Sequence, residues 1–132
     1  MGDWGFKPYE TDEAADWYGV TFKDFNFKRV EEAILNFDHT NEHCYEPIRC
    51  AAFILQKIGI PYIWYVEDNQ PCPVMLIKKA ISILEKLISI DNEEWTYLDM
   101  WGHELPNETG IVETVRKQIE ELEERLKDWK KQ

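Results

Sequence analysis

His39, His43, Cys44 and Cys50 lie within one short stretch, interleaved with Asp38, Glu42 and Glu46. His39 and His43 are four residues apart, a spacing that sets two imidazoles on one helical face, as zinc ligation requires. The residue after His39 is Thr40, where a metalloprotease-type pattern carries glutamate. Asp38 to Glu42 moreover reads as a polar connector between helices. A third ligand would have to arrive from His103 or Cys72. The expectation is a polar loop, with no bound metal and no cofactor.

Nucleophilic chemistry would need a cysteine beside a base. Neither Cys44 nor Cys72 sits in a glycine-rich turn, and Cys72 stands between Pro71 and Pro73 beside an apolar run. Such thiols commonly behave as small buried apolar groups. Asp12 and Asp16 lie one helical turn apart and could serve acid–base work. A structural use explains them better: Asp12 favours a helix N-terminus, and Asp16 can accept hydrogen bonds from backbone amides or an indole. The six glycines are scattered singly, so no loop cradles a phosphate. No catalytic residue is expected.

Recognition is a different matter. Tyr62, Trp64 and Tyr65 are followed at once by Glu67 and Asp68. Tyrosine and tryptophan bury large areas at low rotamer cost and are enriched at interface hot spots. Core packing is the commoner fate of such rings, and Trp64, Tyr65, Glu67 and Asp68 are the candidate partner-binding residues beside that reading. Their acids would suit a basic protein.

Composition supports this direction. The 132 residues carry a net charge of −11, with 44% apolar and 14% aromatic content. That apolar fraction sustains a folded core. The charge repels nucleic acid and anionic lipid, and steers a basic protein on encounter. No apolar run approaches the roughly 18 residues of a membrane span, and the start has no basic n-region with an apolar stretch. Three cysteines without a C-x-x-C spacing predict reduced thiols. The expected location is the cytoplasm.

Helical periodicity must position these groups. Thr11 can cap a first helix ending near Gly19. Phe27, Val30, Ile34 and Phe37 mark a second, which Asn26 could cap. Ile48, Ala51, Ala52, Leu55 and Ile58 mark a third, with Pro47 in its first turn and Gly59 at its end. Residues 60–68 lack helical spacing and favour a short extended segment. Leu76, Ile77, Ala80, Ile81, Leu84, Leu87 and Ile88 form the central, most buried helix. A short fifth one, opening at Asp91 or Asn92, holds Trp95, Leu98 and Trp101. Val112, Val115, Ile119, Leu122, Leu126 and Trp129 then give the last and longest helix a two-per-heptad stripe that packs onto its own domain. Its supporting pairs are Glu113–Lys117, Glu121–Arg125 and Glu123–Lys127.

The N-terminal residues hold Trp4, Phe6 and Tyr9, three rings that would expose much apolar area if they dangled. Gly2 and Gly5 allow the irregular backbone of an arm pinned to the fold. Met1, Gly2, Trp4, Gly5, Asp12, Ala14, Asp16 and Trp17 follow the opening pattern Met-Gly-x-Trp-Gly-x-Gly-x-Phe-x-Asn-Asp-x-Ala-x-Asp-Trp. On these residues the chain resembles the bacterial family catalogued as domain of unknown function 4259. Tyr9 replaces its Phe, Lys7 a Gly and Thr11 an Asn, so the turn at Lys7 departs from the pattern. The resemblance continues loosely at Ala51 and Ala52 and through Tyr97-Leu98-Asp99-Met100-Trp101. It implies a small, mostly helical bacterial domain with no assigned activity, in which Gly2, Trp4, Gly5, Asp12, Asp16 and Trp17 are structural.

The expected fold is all-α: one helical domain over residues 1–132, a bundle of five to six helices with an ordered aromatic arm and one short extended segment near 60–68. The expected function is non-catalytic protein binding, in its sharpest form an immunity-type inhibitor that neutralises a basic toxin by direct contact. The alternatives are an enzyme or small-ligand binder with an inter-helix pocket lined by Asp16, His39, His43 or His103, and a self-associating module using the last helix. The oligomeric expectation is a monomer or weak homodimer.

Overall fold

The computed structural model describes residues 27–61, 63, 64, 73–89, 94–101 and 110–130, together with Glu13, Asp16 and Trp17. Four α-helices carry the fold: α1 (Lys28–Leu35), α2 (Tyr45–Ile58), α3 (Pro73–Leu87) and α4 (Ile111–Lys130). Two 3-10 turns, Glu42–Cys44 and Leu98–Trp101, complete the order, and the described residues include no strand. The described part of the chain is all-α. Glu13, Asp16 and Trp17 are helical, where the first helix was expected.

α3 is the centre. Its Leu76, Ile77, Ala80, Ile81, Ile83, Leu84 and Leu87 are buried along one broad face, while Met75, Lys78, Lys79, Ser82, Glu85 and Lys86 keep the opposite side in solvent. It touches each of the other three helices. α4 lays Ile111, Val112, Val115, Ile119 and Leu122 against that core, so the heptad stripe packs within its own domain. α1 contributes Val30 and Ile34, and α2 contributes Tyr45, Ile48, Ala51, Ala52 and Leu55. At roughly 1.5–3 kcal/mol for each fully buried large aliphatic, this single cluster supplies the main driving force for folding.

The helix ends follow from local chemistry. Pro47 occupies the first turn of α2, where its missing N–H has no intrahelical partner to lose. Gly59 closes α2 with its N–H on the Leu55 carbonyl, and a Cβ there would collide with that same oxygen. The glycine answers to space, since its φ of −76° is open to any residue. Gly110, at φ +77°, supplies the left-handed residue from which α4 starts.

Four expectations need correction. Residues 60–64, as far as described, make a turn and no extended strand, the N–H groups of Ile63 and Trp64 both reaching the Ile60 carbonyl at 3.0 and 2.8 Å, while residues 65–68 of the expected segment lie outside the described residues. Pro61 pre-sets the backbone for that bend. The short fifth helix is a single 3-10 turn, and Trp95 precedes it in irregular backbone. α1 has its N-cap at Phe27, which offers no side-chain oxygen, and Asn26, the expected cap, lies outside the described residues. The close ion pairs described on α4 also differ from the i,i+4 set: Lys127–Glu124 at 3.3 Å, Arg125–Asp128 at 3.3 Å, and Glu121 with Lys57 of α2 at 3.6 Å, although Glu121 still feels the charge of Arg125.

Candidate functional site

α2 does three things with three faces. Its inner face is core. One flank bonds to α4, and the outer face is apolar yet open to solvent.

The flank toward α4 is a chain of polar groups. Arg49 donates from Nε to Gln118 Oε1 at 2.8 Å and from an Nη to the Tyr97 hydroxyl at 3.0 Å. Gln118 returns its amide to the Arg49 carbonyl at 3.3 Å and to Gln56 Oε1 at 2.6 Å. Gln56 passes its own amide to Glu121 Oε2. Gln56 and Gln118 are both buried, and each finds donor and acceptor partners, which is the condition for tolerating amides inside. The Gln56 amide and the neighbouring Lys57 ammonium hold the Glu121 carboxyl below its ordinary range.

A second polar junction locks the start of α2. The Tyr45 hydroxyl donates to the His39 carbonyl at 2.5 Å and accepts the Thr96 N–H at 3.2 Å. Its ring meets Tyr97 edge-on, with centroids 5.6 Å apart.

Outward, Pro47, Cys50, Phe53 and Ile54 line the solvent side of α2. Phe53 is 54% exposed and Ile54 36%. Lys57 stands over the Phe53 ring at 5.4 Å. A groove of about 680 Å³ runs between this ridge and α4, with Arg49, Gln56, Lys117 and Gln118 on its walls. A second, of about 400 Å³, runs on the other side toward Arg29, Val30 and Ala33 of α1. A contiguous exposed apolar surface of this kind marks a candidate contact site.

The residues singled out by sequence scatter. The Trp64 ring is only 5% exposed and stacks on Phe27, centroids 3.8 Å apart, so it packs within the chain and presents no face to a partner. Tyr65, Glu67 and Asp68, expected beside it, lie outside the described residues, as do Gly2, Trp4, Gly5 and Asp12. Asp16 is exposed, and Trp17 is 63% exposed on its helical segment.

His39 stacks flat on Trp95, with centroids 5.4 Å apart, and its Nε2 is 3.8 Å from the Glu94 carboxylate. His43 is exposed, and its backbone N–H bonds the Asn41 side chain at 3.0 Å. Asp38 closes the same loop by accepting from both the Thr40 N–H and hydroxyl, bonds that lower its pKa. The His39–His43 stretch is therefore a self-bonded turn leading into a 3-10 element, and among the described residues no three ligand-type groups converge. Cys44 is half-buried and Cys50 exposed, while Cys72 and His103 lie outside the described residues.

Sequence reasoning missed Phe53 and Ile54. The signal was present: with Ile48, Ala51, Ala52 and Leu55 assigned inward, 100° per residue sends positions 50, 53, 54 and 57 to the opposite side. The Arg49–Gln118–Gln56 chain had no such signal, because lone glutamines carry no periodicity. The described helices include none long and apolar enough to cross a membrane. Comparison with family models, with curated proteins and with solved structures yields no match.

Proposed function

We propose that this chain is a non-catalytic protein-binding module whose contact surface is the outer face of α2, and that its cognate partner is a basic protein neutralised by being covered, in the manner of an immunity-type inhibitor. The observation that carries the reading is the exposure of Phe53 and Ile54 on a helix whose other face is fully buried. Net charge of −11 supports a basic partner, which such a field draws in and orients. The flanking grooves give a partner side chain somewhere to insert, as interface anchors require.

One observation favours a second reading. Arg49, Lys57 and Lys117 border the larger groove beside Phe53 and Ile54, one cation more than the carboxylates Glu46 and Glu121 on the same walls, an excess that suits a small apolar anion.

Co-expression with the product of the adjacent gene, capture, and binding kinetics test the proposal. Phe53→Asp should speed dissociation by about thirtyfold or more, the scale of a lost anchor, while leaving the thermal melt unchanged. Kinetics identical for wild type and Phe53→Asp would sink the assignment to this face. Saturable binding of an apolar carboxylate such as octanoate, lost in Arg49→Met, would favour the second reading.

A further inference from the structure

We infer that, when no other partner is bound, the outer face of α2 is covered by a second copy of this chain, with the two α2 helices antiparallel across a two-fold axis. This rests on reading that face as a contact surface.

The argument comes from the order of residues along the face. Glu46 and Lys57 stand eleven residues apart, three helical turns, on the same side of α2 and at opposite ends. Both are exposed. Between them lie Cys50, Phe53 and Ile54. A two-fold axis crossing α2 level with the Ala51–Ala52 junction brings Glu46 of one copy to Lys57 of the other, and Lys57 to Glu46. The same axis sets Cys50 against Phe53 of the second copy, and Phe53 against its Cys50. Acid meets base at both ends, Cys50 meets Phe53 in the middle, and Ile54 falls level with Arg49, whose guanidinium is turned aside to Gln118 and Tyr97. An isologous interface demands this self-complementarity, in which a patch must match itself after reversal. A parallel pairing would instead set Glu46 against Glu46 and Lys57 against Lys57.

The size of the patch sets the strength. Stable interfaces bury roughly 1,200–2,000 Å² in total. A contact built on one 14-residue helix per copy falls toward the low end, so the dimer is weak and concentration-dependent. A basic partner can therefore displace it. The last helix offers no comparable face, because its apolar stripe is already in the core.

Spacing along the helix also gives a chemical readout. With helix axes about 8–10 Å apart and a rise of about 1.5 Å per residue, the two Cys50 sulfurs come within reach of a short bismaleimide.

The test is sedimentation of the purified full chain over a wide concentration range, for wild type, Phe53→Asp, Glu46→Lys, Lys57→Glu and the double charge swap. Expected is a reversible monomer–dimer equilibrium, weakened about thirtyfold or more by Phe53→Asp and several-fold by each single charge change. The double swap should recover most of the wild-type constant. In a Cys44→Ser, Cys72→Ser background, the bismaleimide should crosslink through Cys50 at concentrations where the dimer forms. Thermal melts confirm that every variant folds. A chain monomeric throughout, yet binding a heterologous partner through Phe53, overturns the dimer and leaves the proposed function standing. A dimer indifferent to Phe53→Asp and to the charge swap overturns the α2 pairing.

Discussion

The indole of Trp129 donates its N–H to the carbonyl oxygen of Gly59 at 2.8 Å, tying the end of the last helix to the end of α2. The Gly59 carbonyl thereby gains a side-chain donor at a helix terminus, where carbonyls lack intrahelical partners. Both termini become one unit.

That tie sets the first prediction. Trp129→Phe keeps most of the ring and deletes the donor, so the loss should be about 1 kcal/mol in a denaturant melt. Gly59→Ala should cost more, about 1–3 kcal/mol, because its Cβ runs into the Leu55 carbonyl and the turn must shift. An alanine variant as stable as wild type would mean the close approach is not there.

How far these arrangements were legible depended on whether a residue belongs to a repeating pattern. The α3 run from Leu76 to Leu87 and the α4 stripe from Val112 to Leu122 announce themselves, because burial recurs at the helical period and each misplacement would cost a whole side chain's transfer energy. Pro47 and Gly59 mark the ends of α2 for equally local reasons. Trp64 could not be placed this way. An aromatic run without a period does not say which side is inside, and what buries Trp64 is Phe27, distant in sequence and brought near by the turn at Ile60–Trp64. The Glu120–Glu124 run reads as one negative patch in sequence, yet Glu121 faces Gln56 and Lys57 while Leu122 is buried. A linear charge run becomes several directions once wound at 100° per residue.

The second prediction concerns the start of α2. Tyr45 is fully buried, and its hydroxyl both donates to His39 and accepts from Thr96. Tyr45→Phe preserves the packing and leaves that carbonyl and that N–H without the bond. The expected cost is about 1–3 kcal/mol, with faster amide exchange at Thr96. Unchanged exchange at Thr96 would show that water replaces the hydroxyl without penalty.

Gln118 sits at the crossing of the α2–α4 chain, which gives the third prediction. Gln118→Leu removes the acceptor of Arg49 Nε and the donor to Gln56 at once. About 1–3 kcal/mol should be lost. Replacing Gln56 by leucine as well should recover part of it, since burying both sides as apolar groups leaves fewer orphaned atoms. Strictly additive losses in the double variant would deny that the two amides act together.

The fourth prediction follows the charge at the solvent end of that chain. Gln56 donates to Glu121, with Lys57 and Arg125 adding favourable charge, so the carboxylate form is stabilised and the pKa falls below its ordinary 4.5. A lowered folded-state pKa means that the native state binds fewer protons than the unfolded chain. The stabilisation is complete above the unfolded value and is lost as pH drops through the folded one. Melting temperature should therefore fall with acid more steeply in wild type than in Glu121→Gln as pH drops below the unfolded value. The Glu121 side chain is 46% exposed, and solvent screening keeps the effect below about 1 kcal/mol. A side-chain carboxyl titration by NMR isolates the cause. Gln56→Ala removes the leading donor and should raise the Glu121 midpoint toward 4.5, whereas Lys57→Met should raise it less. A midpoint that moves only in the lysine variant would assign the shift to charge and take the Gln56 bond out of the account.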